Sequence, residues 1–314
     1  MTEKIKFARH TFDVYSRHIS ELNAKLGIDA SRTRSVLELC RAICADDILF
    51  SKFESFRDRY FSGDYEHRDE IADCALRVGS NKYEYALALC EMYSLDTLEL
   101  YRHLGIDDVR VYFDAVRDIQ IWAEACLDKF GVYGIEKYGW VSYSLTGEIF
   151  RLGRLQFHTV PYAHEDVRVC GVSLARDSSV INVHIPAGEP LRMSDCLDSY
   201  RRAYEFFGLS NRAAFVCDSW LLYPAHREML PVSSGIVRFA DDYKIIEVTD
   251  CPAAEFGELW RVFGYKKNYA PDTLPCDSAL RRAYIQRLRD ASTLGSAFGV
   301  MIFDGQNSVR EEEK

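Results

Sequence analysis

The chain has 314 residues, 48% of them hydrophobic, and a formal net charge of −9 at pH 7. That length is sufficient for two domains with a sizeable core, and that composition is typical of a folded protein rather than a disordered one. The negative charge argues against general binding to nucleic acids or anionic membranes, because such binding favours clustered Lys and Arg.

The first half of the chain places apolar residues at helical spacing, from Phe7 to Leu145. The predicted helices cover residues 7–26, 36–60, 71–78, 83–92, 94–104, 107–130 and 138–145. Glycines that follow the apolar periods, such as Gly27 and Gly105, are typical helix ends. Ser94 and Thr97 are the predicted cap residues of the short helix over 94–104.

In the second half, from Phe150 onward, β-rich runs alternate with helical periods, which indicates a mixed α/β domain. The predicted strands cover residues 150–160, 167–174, 180–185, 213–222, 236–239, 243–248 and 297–303, and the predicted helices 194–207, 226–230, 254–263 and 278–292. We therefore expect an all-helical N-terminal domain over residues 1–140, a mixed α/β C-terminal domain over 141–306, and a charged, frayed tail over 307–314.

Ten cysteines lie scattered in mostly apolar surroundings, and no two form a CxxC pair. Cys40 and Cys44 share a predicted helix face but lack matching ligands nearby, so we predict no metal site. Scattered buried thiols indicate a reducing compartment. The N-terminus has no apolar segment of the signal-peptide kind, and no run approaches the roughly 18 apolar residues of a membrane span. We therefore expect a cytoplasmic protein without nucleic-acid or membrane partners.

The stretch from Val180 to Pro190 reads as a buried strand that stops at a Pro/Gly/Pro turn. Ser194 and Asp195 then supply an N-cap signal for the next helix. A strand, a turn and a helix N-terminus in succession present unpaired backbone N–H groups and the positive end of a helix dipole. This pattern suits a phosphate or pyrophosphate, although most strand–turn–helix units bind nothing.

Four sequence blocks in the second half occur in a fixed order: FRLGRLQF, NVHIPAGEPL, CDSWLLYP and SSGIVRF, with LPCDSALRRAYIQRL after them. In this order and spacing they resemble the bacterial acyltransferase domain-containing proteins, which pair a helical N-acyltransferase N-terminal domain with a GNAT-like C-terminal domain. The resemblance covers nearly the whole chain. It implies an acyl-CoA site where two neighbouring parallel strands splay apart, and it implies no metal.

The resemblance places the first of those strands at Val180–Ile185, the pyrophosphate loop at Pro186–Met193, the helix from Ser194 and the partner strand at Ala213–Leu222. The implied CoA-binding residues are Ile185, Ala187, Gly188, Arg192 and Ser194. The usual loop signature, Gln/Arg-x-x-Gly-x-Gly/Ala, is absent. Residues 187–191 hold one Gly, a carboxylate and a Pro without an N–H. Glu189 would repel phosphate unless it turns outward, and Arg192 would compensate.

Four side chains are the candidate catalytic groups: His184, Asp218, Ser219 and Tyr204. A neutral His184 would take the proton of an amine, and the alternative is a packed histidine bonded to a backbone carbonyl. Asp218 would order an incoming ammonium group and Ser219 would bond the thiolate or a carbonyl. They alternate along a strand, so only one of them faces the cleft. The alternative is a solvent-facing Asp and a satisfied buried Ser. Tyr204 would protonate the thiolate, or else belongs to the core.

Arg151 and Arg154 are three residues apart in a predicted strand, so we expect them on opposite faces. One of them would steer the phosphates of CoA, but we favour an exposed salt bridge. Together these features predict direct N-acyl transfer from acyl-CoA to a small-molecule or peptide amine. The rival hypothesis is a non-catalytic GNAT-like binding protein that has lost its cofactor. A third hypothesis, compatible with either, makes the helical half an interaction surface and homodimer interface.

Overall fold

The computed structural model describes residues 7–65 and 67–310, and the chain divides into two compact units, Met1–Arg151 and Leu152–Lys314. The first unit is helical and the second is a mixed sheet covered by helices, which confirms the predicted fold class. The first unit contains α1 (Phe12–Leu26), α2 (Ala30–Ala45), α3 (Asp47–Tyr60), α4 (Arg68–Arg77), α5 (Lys82–His103), α6 (Val109–Phe130) and α7 (Tyr138–Leu145).

The two helices expected over 83–92 and 94–104 are one continuous helix, α5, of 22 residues. Ser94 and Thr97 are therefore interior residues and not caps. Their hydroxyls donate to the carbonyls of Glu91 at 2.6 Å and Tyr93 at 3.2 Å. This back-bonding lets Ser and Thr sit inside a helix without interrupting it. α5 also contacts α1, α2, α4, α6 and α7, so it is buried on most sides and shows little helical periodicity.

Helix α7 belongs to the helical unit. The Thr97 hydroxyl donates to the Leu145 carbonyl at 2.8 Å, and the Tyr101 hydroxyl donates to the Ser144 carbonyl at 3.0 Å. The division of the chain consequently falls after Arg151, whereas the sequence placed it after residue 140. Helices α5 and α6 pack against α7 and hold it in the helical unit.

The second unit is built on a seven-stranded sheet with strand order β1-β2-β5-β6-β8-β7, and β9 pairs with β8. The strands are β1 (Phe150–Leu152), β2 (Leu155–Pro161), β5 (Ser179–His184), β6 (Ala213–Ser219), β7 (Lys244–Pro252), β8 (Thr293–Phe303) and β9 (Ser308–Val309), while β3 (Val167–Val169) and β4 (Val172–Leu174) form a separate hairpin. The helices are α8 (Met193–Phe206), α9 (His226–Met229), α10 (Gly235–Ala240), α11 (Leu259–Phe263) and α12 (Ala279–Arg289).

Several predicted strands differ in the structure. The run over 236–239 is not a strand but lies in helix α10, whose N-cap Ser234 accepts from the Ile236 N–H. The periodicity of a short apolar run does not distinguish a strand from a helix. The run over 213–222 ends at Ser219, where a 3-10 turn begins. Gly153, with φ +86°, divides the run over 150–160 into β1 and β2. In the expected frayed tail, Ser308–Val309 pairs with β8, while residues 311–314 lie outside the described residues.

The two faces of the sheet pack against different partners. One face carries Phe157, Phe215 and Phe303, and the ring of Tyr200 on α8 lies 5.4–5.9 Å from each of these rings. On the other face, Val216 and its apolar neighbours pack against the β3–β4 hairpin. The apolar part of this second face ends before the C-terminal ends of β5 and β6, where polar residues take over.

Candidate functional site

Strands β5 and β6 run parallel but separate at their C-terminal ends. Their ladder pairs only Ile181 with Phe215 and Asn182 with Val216. Beyond that point β5 stays registered with β2 as far as His184, and β6 stays registered with β8 as far as Ser219. Each strand thus follows its outer neighbour and a gap opens between them. The splayed pair expected from the resemblance is present, at the strand ends where sheets of this class bind ligands.

Two imidazoles lie side by side on β5, which borders this gap, and on its outer neighbour β2. His184 on β5 and His158 on β2 share a sheet face, with ring centroids 4.9 Å apart. Nε2 of His184 lies 3.1 Å from Nδ1 of His158 and 3.2 Å from Nδ2 of Asn182. Burial, and secondarily the neighbouring His158, lowers the pKa of His184 to about 4. His184 is therefore neutral at pH 7, the form that accepts a proton.

Asp218 lies on the same sheet face as His184, because Asn182 and Val216 are opposite each other and side chains alternate. Its side chain is exposed, but partial desolvation raises the pKa of its carboxyl, with Glu247 adding to the rise and His164 opposing it. The His164 ring stacks on Phe298 at 3.8 Å, and its Nδ1 lies 3.1 Å from a Glu247 oxygen. The structure thus brings one predicted carboxylate to the His184 side of the sheet.

Ser219 points to the opposite face, as the alternation requires. Its Oγ accepts from the Leu221 N–H at 3.2 Å and so caps the 3-10 turn that follows β6. The hydroxyl proton remains able to donate.

The structure does not bring Tyr204 together with His184. Tyr204 lies on α8, which starts beside the gap and runs back along the sheet. Eleven residues of helix place it about 16 Å from Met193 along the axis. Its hydroxyl donates to the Asn211 carbonyl at 2.7 Å, just before β6 begins. A group at the N-terminal end of β6 is at the wrong end of the sheet to protonate a thiolate in the gap.

The loop from Ile185 to Arg192 connects β5 to α8 beside the gap. Helix α8 begins at Met193, and the residue before it, Arg192, makes no side-chain cap. The expected N-cap role of Ser194 is wrong, because Ser194 is inside the first turn and its hydroxyl donates to Asp195 at 3.0 Å. Gly188 has φ +97°, a conformation that favours glycine. Of the other residues expected to bind CoA, Ala187 and Arg192 are exposed in this loop and Ile185 is half-buried.

Arg154 holds this loop from inside. Its guanidinium donates to the carbonyls of Pro186 at 2.9 Å, Glu189 at 2.8 Å and Pro190 at 3.1 Å. The exposed salt bridge favoured from the sequence is wrong, because Arg151 and Arg154 are only 3% and 6% exposed. Sequence reasoning missed this role, since Arg154 is in a hairpin turn and its acceptors are carbonyls more than 30 residues away.

A second contact fixes the far end of the loop. Gly235, the first residue of α10, lies so close to Leu191 that a Cβ on it would be 2.3 Å from the Leu191 carbonyl oxygen. A side chain at position 235 therefore requires the loop or α10 to shift. This close approach brings the block SSGIVRF against the block NVHIPAGEPL in the fold.

No helix in residues 7–65 and 67–310 is both long and apolar enough to cross a membrane. Comparison with curated proteins gives no match. Among solved structures, an acyltransferase in complex with decanoyl-CoA and teicoplanin has a TM-score of 0.70 at 20% identity, over 96% of this chain and 90% of that one. An acyltransferase mutant in complex with octanoyl-CoA has a TM-score of 0.69 at 20% identity, over 96% and 90%. At this identity the likeness establishes the fold.

Family models cover most of the chain in two successive parts. Residues 17–147 match the N-acyltransferase N-terminal domain, and residues 149–301 match the GNAT-like C-terminal domain. The junction between the two matches lies within a few residues of the division between the two compact units. The chain therefore belongs to the two-domain family in which an N-acyltransferase N-terminal domain precedes a GNAT-like C-terminal domain.

Proposed function

We propose that this protein transfers an acyl group from acyl-CoA to an amine. The observation that carries the proposal is the gap between β5 and β6, with a neutral imidazole, His184, at its edge. The fold is that of acyltransferases described with decanoyl-CoA and octanoyl-CoA bound.

Acyl-CoA is the co-substrate in this proposal. Its thioester enters the gap between the strands, and its pyrophosphate lies on the loop and the first turn of α8. Ile185, Ala187, Gly188 and Ser194 contribute backbone there, and Arg192 contributes an exposed cation. The helix dipole and the unpaired N–H groups of the first turn favour a bound anion.

The chemistry is direct transfer without a covalent enzyme intermediate. His184, directly or through a water, takes one proton from the acceptor ammonium, and Asp218 holds that ammonium in place. The free amine attacks the thioester carbonyl, which a backbone N–H at the splayed strands polarises. The new C–N bond forms, the C–S bond breaks, and the CoA thiolate leaves. The second amine proton goes to the thiolate.

The acceptor in this proposal is a small-molecule or peptide amine. Two similar structures are described as complexes that include teicoplanin or 10C-teicoplanin, which supports an acceptor of this broad class. All ten cysteines are free, which fits a reducing compartment, and we place the protein in the cytoplasm.

Thermal unfolding with acetyl-, octanoyl- and decanoyl-CoA tests this proposal first. Binding to the folded state alone raises the melting temperature by mass action. Release of free CoA in the presence of an amine panel, with the acylated amine identified by mass spectrometry, tests catalysis. Stabilisation by acyl-CoA without any turnover would contradict acyl transfer. Absence of stabilisation at millimolar acyl-CoA would contradict the proposal and favour the non-catalytic protein that has lost its cofactor.

A further inference from the structure

The pyrophosphate loop lacks the glycine-rich signature of related folds, yet it is held in one conformation. The geometry points to Arg154 as a positioning residue for CoA, which holds the loop so that its backbone N–H groups face the pyrophosphate. This inference rests on the proposed function. It assigns to a buried arginine the role that glycines play in the usual loop.

All three guanidinium nitrogens of Arg154 donate to the loop. Nε donates to Pro190, Nη1 to Pro186 and Nη2 to Glu189, at 2.8–3.1 Å. The residue itself is fixed, because the Ser199 hydroxyl oxygen accepts from the Arg154 N–H at 2.8 Å, and Ser199 also donates to the Asp195 carbonyl in α8. Hydrogen bonds from a charged donor are shorter and stronger than neutral ones. One buried cation thus ties the hairpin turn, the loop and α8 together.

Captured carbonyls set the direction of the neighbouring N–H groups. In a planar trans peptide the C=O and the next N–H point in opposite directions, and the described residues contain no cis peptide. The carbonyls of Pro186 and Pro190 point at Arg154, so the N–H groups of Ala187 and Leu191 point away from it. Neither N–H has a hydrogen-bond partner among the described residues. The Glu189 carbonyl is followed by Pro190, which has no N–H to direct.

The first turn of α8 adds more donors beside the loop. The N–H groups of Met193 and Ser194 have no partner in the described part of the chain. The first N–H of α8 that has an acceptor is that of Asp195, which donates to the Arg192 carbonyl. The N–H groups of Ala187, Leu191, Met193 and Ser194 therefore lie within eight residues, two in the loop and two in a 14-residue helix. A carbonyl that accepts from a guanidinium polarises its peptide, which strengthens the N–H on the other side.

This arrangement explains both departures from the usual signature. Glu189 contributes its carbonyl to Arg154, while the residue itself is exposed. Pro190 contributes only a carbonyl, so its missing N–H costs nothing. The loop therefore does not need a second glycine to present donors.

The test separates the two halves of the cofactor. We would compare Arg154→Lys and Arg154→Met with the wild type, using acyl-CoA and the matching acyl-pantetheine, which lacks the pyrophosphate. We expect the KM for acyl-CoA and the Kd for CoA to rise about tenfold, since a charged hydrogen-bond network is lost. We expect kcat/KM for acyl-pantetheine to stay within about twofold of the wild type.

The matched control is Arg202→Met, which removes an exposed arginine of α8 that pairs with Asp198 at 2.8 Å and does not contact the loop. CoA titrated into the ¹⁵N-labelled wild type should shift the amide signals of Ala187 and Leu191.

The inference is overturned if folded Arg154 variants bind CoA as the wild type does, or if their affinities for CoA and for acyl-pantetheine fall equally. A wild type that binds CoA without turnover overturns only the proposed function, and one that binds neither ligand overturns both. If Arg154→Met does not fold, the comparison uses Arg154→Lys, which retains the positive charge. The shifts of the Ala187 and Leu191 amide signals in the wild type then still test whether these N–H groups contact CoA.

Discussion

Nε2 of His184 lies 3.1 Å from Nδ1 of His158, and the two rings stack with an interplanar angle of 30°. A single hydrogen atom between the two nitrogens is enough for a hydrogen bond. If both rings were protonated, two positive charges would lie face to face. This relationship links the proposed base to a residue on the neighbouring strand. The sheet register that pairs β2 with β5 therefore adds to the effect of burial in lowering the pKa of His184.

The first prediction concerns the basicity of His184. In His158→Gln the neighbouring imidazole is gone, so the pKa of His184 should rise from about 4. Burial is the larger cause of the shift, and the pKa should therefore stay below the ordinary value of about 6.5. Titration of the His184 ring signals by NMR measures this. His164→Gln is the control, because His164 contacts Glu247 and Phe298. An unchanged His184 pKa in His158→Gln would disprove the electrostatic link.

The second prediction separates His184 from Tyr204. His184→Asn removes the proposed base, and we expect kcat to fall about 10²–10⁴-fold with little change in the KM for acyl-CoA. Tyr204→Phe should leave kcat unchanged, because the Tyr204 hydroxyl bonds to the Asn211 carbonyl at the other end of the sheet. It should cost only about 1 kcal/mol of stability, the value of one hydrogen bond. A large loss of kcat in Tyr204→Phe with a normal melting temperature would support Tyr204 as the acid that protonates the thiolate.

Some elements follow from local sequence and others depend on distant contacts. Helix α7 begins and ends where the periodicity placed it, at Tyr138 and Leu145, and the loop after β5 was recognised from its Pro and Gly. The role of Arg154 was not recognised, because a sequence pattern does not show which distant carbonyls lie close to a side chain in the fold. The unbroken α5 was missed for a related reason. A helix buried on most sides has no polar face to mark its period.

The third prediction concerns a buried carboxyl in the helical unit. Glu91 is 1% exposed and accepts from Asn23 at 3.0 Å, and burial raises its pKa to about 8 despite that bond. A folded-state pKa above the unfolded value means that the folded protein binds the proton more tightly. The resulting stabilisation is fully present below about pH 4.5 and is lost as the pH rises through 8.

Glu91→Gln keeps the shape of this side chain and removes its ionisation. The melting temperature of the variant relative to the wild type should therefore increase between pH 5 and pH 9, by an amount equivalent to at most about 4 kcal/mol. Calorimetric melting curves across this range measure the difference. Glu38→Gln, at an exposed position on α2, is the control substitution. A melting difference for Glu91→Gln that changes with pH no more than the difference for Glu38→Gln would mean that Glu91 is not buried as an uncharged acid.

The fourth prediction concerns the close approach of α10 to the cofactor loop. In Gly235→Ala the new Cβ meets the Leu191 carbonyl oxygen at 2.3 Å, which is backbone and cannot rotate away. The loop or the helix must shift, and we expect a loss of about 1–3 kcal/mol of stability, as for other overpacked sites. Since Leu191 follows the carbonyls that Arg154 holds, CoA affinity should fall together with stability. Gly257→Ala is the matched control, because a Cβ there meets nothing within 4 Å. Equal melting temperatures and equal CoA affinities for the two variants would show that the loop is free to move, and would remove the structural reason for glycine at position 235.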